Sequence, residues 1–118
     1  MREIHKLVDL NTRIIVTDEK GSGGANHCYQ IIPMGETELK PLSLIKFQEG
    51  GVVANGVNGC TIEDLLYIVQ DRLECFQAGD FACQENEIAK TKIEESLMWL
   101  HKRTLERQAR GVEGLEKQ

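Results

Sequence analysis

Four basic residues crowd the carboxyl-terminal part of the chain: Lys102, Arg103, Arg107 and Arg110. Arg103 and Arg107 are four apart, so on a helix they share one face. Two guanidinium forks side by side suit a pyrophosphate, since each donates paired charge-assisted hydrogen bonds. The same spacing suits the last turns of a helix, where cations offset the dipole, and Glu106 between them can absorb one charge. Phe76 can stack on a nucleobase or plug the core where the chain turns. Asn86 can read a ribose or base edge through its amide, or cap a helix start. The loop Gly21-Ser22-Gly23-Gly24-Ala25-Asn26-His27 has glycines that allow positive φ and N–H groups that can cradle an anion, with Asn26 and His27 at its end. Its plainer reading is a flexible hairpin connection without a ligand.

Catalysis finds no such set. His5, His27 and His101 are far apart, in no His-x-x-x-His arrangement, and no nucleophile elbow or phosphate loop is present. Most acidic residues fall on faces expected to be solvated. The chain therefore reads as non-enzymatic, with no catalytic residue, metal site or cofactor. Cys28, Cys60, Cys75 and Cys83 form no Cys-x-x-Cys pair and read as reduced cytosolic thiols. A net charge of −5 disfavours long nucleic acid, while leaving room for a small anion at a local basic cluster. No apolar run reaches membrane-spanning length and the start carries no hydrophobic signal region, so a cytoplasmic protein is expected.

Those side chains need elements to hold them. The 118 residues suggest one domain of α+β class, a small antiparallel sheet over 1–59 followed by two helices. Arg13–Thr17 and His27–Pro33 are strand-like runs joined by the glycine-rich loop, with Pro33 at a strand end. Leu42–Phe47 predicts a further strand, Gly50-Gly51 a turn, and Val52-Val53-Ala54 its hairpin partner. Thr61 and Asp64 form a capping-box pattern that opens a helix over 61–76, with Gly79 closing it. A second helix is predicted over 83–110, followed by a tail at 111–118, and nothing inside that helix breaks it. At about 40 Å it outruns so small a domain, so part of it needs another surface, most simply a second copy of the chain.

The blocks Asn55–Thr61, Phe76–Asn86, Lys90–Leu100, Arg103-Thr104 and Arg107 with Arg110–Gly114 resemble the type-one Thoeris anti-defence family of phages. The likeness covers nearly half of the chain and is looser over the first 50 residues. It implies a sheet-plus-two-helices protomer whose long helix serves oligomerisation, in a homodimer that often groups as a trimer of dimers into a hexamer. It further implies a sponge, which holds a cyclic ADP-ribose signal made by bacterial TIR-domain enzymes without degrading it. Some members also hold cyclic di- or trinucleotides at separate sites. By position, Phe76 would stack on adenine, Asn86 would hydrogen-bond, and Arg103 with Arg107 would grip the pyrophosphate; Asn26, His27 and Arg110 complete the candidate set. Gln84 stands where relatives carry Arg, and Leu115 where Thr is more usual.

Sequestration in the host cytoplasm is thus the leading reading. An interaction protein that blocks a host protein with its helical face is the alternative, and a small phosphodiesterase using His27 or His101 comes last. On the leading reading, Arg107→Ala loses ligand affinity on the order of 1.5–3 kcal/mol with the fold intact, as isothermal titration would measure.

Overall fold

In a computed structural model, residues 1–8, 10–36 and 40–117 are described. The β-branched run near the amino terminus forms a strand, β2 (Thr12–Val16), because stiff side chains pack well on a pleated surface. It pairs antiparallel with β3 (Cys28–Pro33), where Ile14 lies opposite Ile31 and Ile15 opposite Gln30. Pro33 closes β3 as expected. Beyond it runs β4 (Ser43–Lys46), again antiparallel. A two-residue strand, β1 (Arg2–Glu3), lies on the far side of β2, so the sheet order is β1-β2-β3-β4. Ile15, Val16 and Ile32 are buried. Across the first pair of strands the Arg13 guanidinium meets the Glu3 carboxylate at 2.7 Å, and that contact holds the Glu3 carboxyl below its ordinary range.

The α+β class is as the sequence reading had it, with local corrections. Val52–Asn55 is not a returning strand but a single helical turn, α1. Gly51 enters it extended and Gly56 leaves it at φ 68°, so the flanking glycines set the local path despite the β-branched valines. The next segment is stitched by side-chain amides: Gln48 Nε2 donates to the Gly56 carbonyl, and Asn58 Nδ2 donates to that of Glu49. Gly59 lies so close to Phe47 that a Cβ would stand 2.4 Å from its carbonyl carbon.

Helix α2 (Ile62–Gln77) opens with the anticipated capping box: the Thr61 hydroxyl accepts from Asp64 N–H, and the Asp64 carboxylate accepts from Thr61 N–H. Its end differs from expectation. Gly79 is not among the positive-φ glycines, and the last turn closes through Ala78 N–H donating to Glu74. Helix α3 (Gln84–Ala109) runs without interruption and packs on α2. Residues 1–60 and 61–118 form two compact units, so the sheet and the helical hairpin are each described by themselves.

Gly59→Ala should cost at least about 2 kcal/mol in urea unfolding, because the new methyl meets backbone that cannot turn aside.

Candidate functional site

The hairpin turn is closed by one side chain. Gln77 Nε2 donates to the Cys83 carbonyl and to Glu87, while Cys83 N–H donates to Gln77 Oε1. Cys83 is also the N-cap of α3, its Sγ accepting from Asn86 N–H. That contact fixes Asn86 in the first turn of α3, half-buried, as a residue that receives a cap rather than supplies one. Phe76 stands in the last turn of α2, with the Arg72 guanidinium 5.0 Å over its ring and Phe81 edge-on at 6.4 Å. An aromatic ring and an amide thus share the turn end of the hairpin. Phe81 is itself 77% exposed, so the cluster faces water rather than filling a core.

The basic residues occupy the other end of α3. Arg103 is exposed and makes no hydrogen bond or ion pair among the described residues. Arg107 is buried, and its guanidinium is fully engaged. Its Nε donates to Glu113 at 3.2 Å, its Nη2 to the carbonyls of Val112 and Leu115 at 2.9 Å each, and its Nη1 to the Lys117 carbonyl. Arg110 forms the C-cap of α3 and lies exposed. Glu106 takes Lys102 as its partner at 3.8 Å, not Arg107. The two arginines expected to act alike therefore sit in different surroundings, one presented to solvent and one gathering the tail. The expectation that Arg107→Ala leaves the fold intact is revised on this ground.

Within a single chain these ends stay apart. From Asn86 to Arg103 the helix rises about 26 Å, and to Arg107 about 32 Å, at 1.5 Å per residue. No one chain can close Phe76, Asn86, Arg103 and Arg107 around one small molecule.

Asn26 and His27 belong to the sheet unit and are both buried. They do not hang on a loose loop. Asp18 organises it: its Oδ2 accepts from His27 N–H at 2.9 Å and its Oδ1 from Cys28 N–H at 3.1 Å. Asn26 Nδ2 donates to the Asp18 carbonyl, and Asn26 Oδ1 accepts from Arg2. The His27 Nδ1, 4.0 Å from Asp18 Oδ2, is buried without a hydrogen-bond partner. Burial pushes the Asp18 carboxyl up, but the N–H donors of His27, Cys28 and Asp18 itself outweigh it and hold the group below its ordinary range. Among the described residues no group of three or more His, Cys, Asp or Glu could hold a metal ion, and no helix is long and apolar enough to cross a membrane.

Residues 42–105, more than half of the chain, match the family model of the Acb2/Tad1 hairpin domain. The chain belongs to this family. A curated relative, Thoeris anti-defense 1 of Bacillus phage SBSphiJ7, is 53% identical over 73 residues, which is 62% of this chain and 51% of the relative. The chain spans about half the length of the curated relative it matches. Both matches carry the Thoeris anti-defence likeness read from the sequence blocks. Within the Acb2/Tad1 hairpin match lie Phe76, Asn86 and Arg103; Asn26, His27, Arg107 and Arg110 fall outside it.

Sequence reasoning passed over three residues that position the others. Asp18 was legible as an Asp at a strand end before a glycine-rich loop, where its carboxylate gathers nearby N–H groups. Gln77 and Glu113 gave no signal, since their partners are set by the turn and the tail.

Arg107→Ala should leave the fold of the hairpin but free the tail, so that limited proteolysis cuts after residue 110 at least about tenfold faster. Arg107→Lys should not restore protection, because one ammonium cannot replace a planar fork serving several oxygens. Asp18, with its carboxyl held low, stabilises the sheet unit above the ordinary carboxylate range and loses that contribution as pH falls through the lowered value. Asp18→Asn should melt lower than the parent at pH 7, by roughly 5 °C. The gap between the two should narrow in melts taken below about pH 3.9.

Proposed function

We propose that this chain is a phage anti-defence protein that binds a cyclic ADP-ribose signal made by TIR-domain immune enzymes and sequesters it intact. Cyclic di- or trinucleotides are a second ligand class for the same protein. The relative's name supports the anti-defence role, and the chemistry of the hairpin supports the ligand class. Phe76 offers a ring for a base, Asn86 an amide for a ribose or base edge, and Arg103 an unengaged guanidinium for phosphate. Arg107 joins that grip when its tail contacts are exchanged, and Arg110 stands one turn on. Asn26 and His27 belong to a separate, tied loop that would serve a second site.

The observation that carries the proposal is that Phe76 and Asn86 share the turn end of the hairpin, while Arg103 and Arg107 lie about 26 Å or more away along the uninterrupted α3. A second copy running the other way brings the arginines of one chain level with Phe76 and Asn86 of its mate. The functional unit is then a homodimer with two equivalent pockets, three such dimers forming a hexamer, in the host cytoplasm. Holding the ligand requires no catalytic group, and the protein acts without degrading it.

Isothermal titration with cyclic ADP-ribose isomers, then with cyclic di- and trinucleotides, tests the proposal. At least one titration should show saturable binding, and the ligand should be recovered unmodified after heat denaturation of the protein. Arg103→Ala should weaken that binding at least about tenfold while leaving the melting temperature unchanged. Flat titrations throughout end the sponge reading, and ligand turnover seen by chromatography replaces it with a phosphodiesterase.

A further inference from the structure

The turn end of the hairpin holds one cation among many carboxylates. Residues 71–87 carry Asp71, Glu74, Asp80, Glu85 and Glu87 against Arg72 alone. Among the described residues Arg72, itself exposed, forms an ion pair with none of them. Its guanidinium carbon stands instead 5.0 Å over the Phe76 ring, one helical turn further on. Phe81 follows the turn, its ring centroid 6.4 Å from that of Phe76 and the two planes 76° apart. The rings thus form a corner, and contact with Phe76 covers little of Phe81, which remains 77% exposed.

The segment that presents Phe81 is tied at both ends. Ala78 N–H donates to the Glu74 carbonyl and Gly79 N–H to that of Phe76. Gln77 spans the turn, accepting from Cys83 N–H and donating to the Cys83 carbonyl. A large aromatic exposed on a tied turn loses little freedom when a ligand covers it, and that favours binding.

We propose that Arg72 and Phe81 complete a purine seat with Phe76. Phe81 touches the base and sets the preference for a purine, while Arg72 is a positioning residue that backs the Phe76 ring. The proposal rests on the reading of Phe76 as a base-stacking ring and names the residues that decide which base it takes. With a guanidinium over one face of Phe76, a stacked base takes the other. A pyrimidine there matches the six-membered ring beneath it and leaves Phe81 uncovered. The fused second ring of a purine extends beyond Phe76 and meets Phe81 near a right angle, a geometry that aromatic pairs favour. The charge around the corner agrees. A neutral base is little disturbed by the excess carboxylates, whereas a phosphate group is repelled by them.

Proton NMR of adenosine and uridine monophosphates at millimolar concentration, with the full chain added, tests the seat without the macrocyclic ligand. Stacking over Phe76 should move adenine H2 and H8 upfield, and the parent should bind the adenine probe at least about fivefold more tightly than the uracil one. Phe81→Ala should reduce that preference to within about twofold, and Phe81→Leu, which keeps bulk without a ring, should do the same. Arg72→Gln should weaken the adenine probe at least about threefold and shrink its limiting upfield shift. Arg72→Lys, which keeps a cation over the ring, should stay within about twofold of the parent. Far-ultraviolet circular dichroism should show the helical content of the parent in every variant. A parent that moves neither adenine proton, Phe81 variants that keep the purine preference, or an Arg72→Gln variant that binds like the parent each overturn the seat. A parent that seats adenosine monophosphate while every cyclic ligand gives a flat titration supports the seat and counts against the ligand reading alone.

Discussion

Two helices laid side by side have one seam, and a seam is too little to bury both of them. Among the described residues of the hairpin, Leu97 and Arg107 alone are buried, and α2 buries none. Side chains tie the hairpin's ends, with a capping box at the start, Gln77 across the turn and Arg107 over the tail. Apolar surface is left over, and burial of such surface is the main term that drives association. The distribution of polar chemistry obeys the same constraint. The 26-residue α3 holds Asn86, beside the Phe76 ring of α2, and its arginines farther apart than any one small ligand spans.

Arg107 shows how one residue type serves two ends. Guanidinium is weakly hydrated and presents donors in a fixed plane, so it can be buried provided that oxygens surround it. Here Val112, Leu115, Lys117 and Glu113 provide them, drawn in by the reversal of the chain after Gly111 at φ 73°. Carbonyl dipoles and one carboxylate imitate the surroundings that a phosphate group would offer. Arg103, one turn earlier and exposed, keeps its donors for solvent or for a ligand. The sheet unit repeats the theme with the opposite sign: Asp18 gathers N–H donors, and the loop that holds Asn26 and His27 takes its form from that carboxylate.

Much of this was legible in the residues. The Thr61–Asp64 pair marked the start of α2 because capping is a local interaction, written within four positions. The length of α3 followed from the absence of any breaker, and β2, β3 and β4 from their β-branched runs. What escaped depended on partners remote in sequence or on glycine geometry. The valines at 52 and 53 promise a strand by type, yet Gly51 and Gly56 enclose them in one helical turn. The strand β1 has only Arg2 and Glu3, no apolar pattern, and exists because β2 offers it an edge. Phe76, Asn86, Arg103 and Arg107 were candidates by residue type and by the family resemblance, and their division between the two ends of the hairpin emerges only from the geometry of its helices. That Arg107 is buried could not be read from a spacing that fits a solvent-facing cation equally well.

The claim on which everything turns is that one pocket takes its ring from one chain and its arginine from another. Mixing Phe76→Ala with Arg103→Ala, after each is shown to bind no ligand alone, tests that claim directly. In a freely exchanging mixture half of the dimers are mixed, and each mixed dimer has one pocket with both residues intact. Titration should then recover binding at about one site in four. A mixture that stays as inert as its two components contradicts the shared pocket.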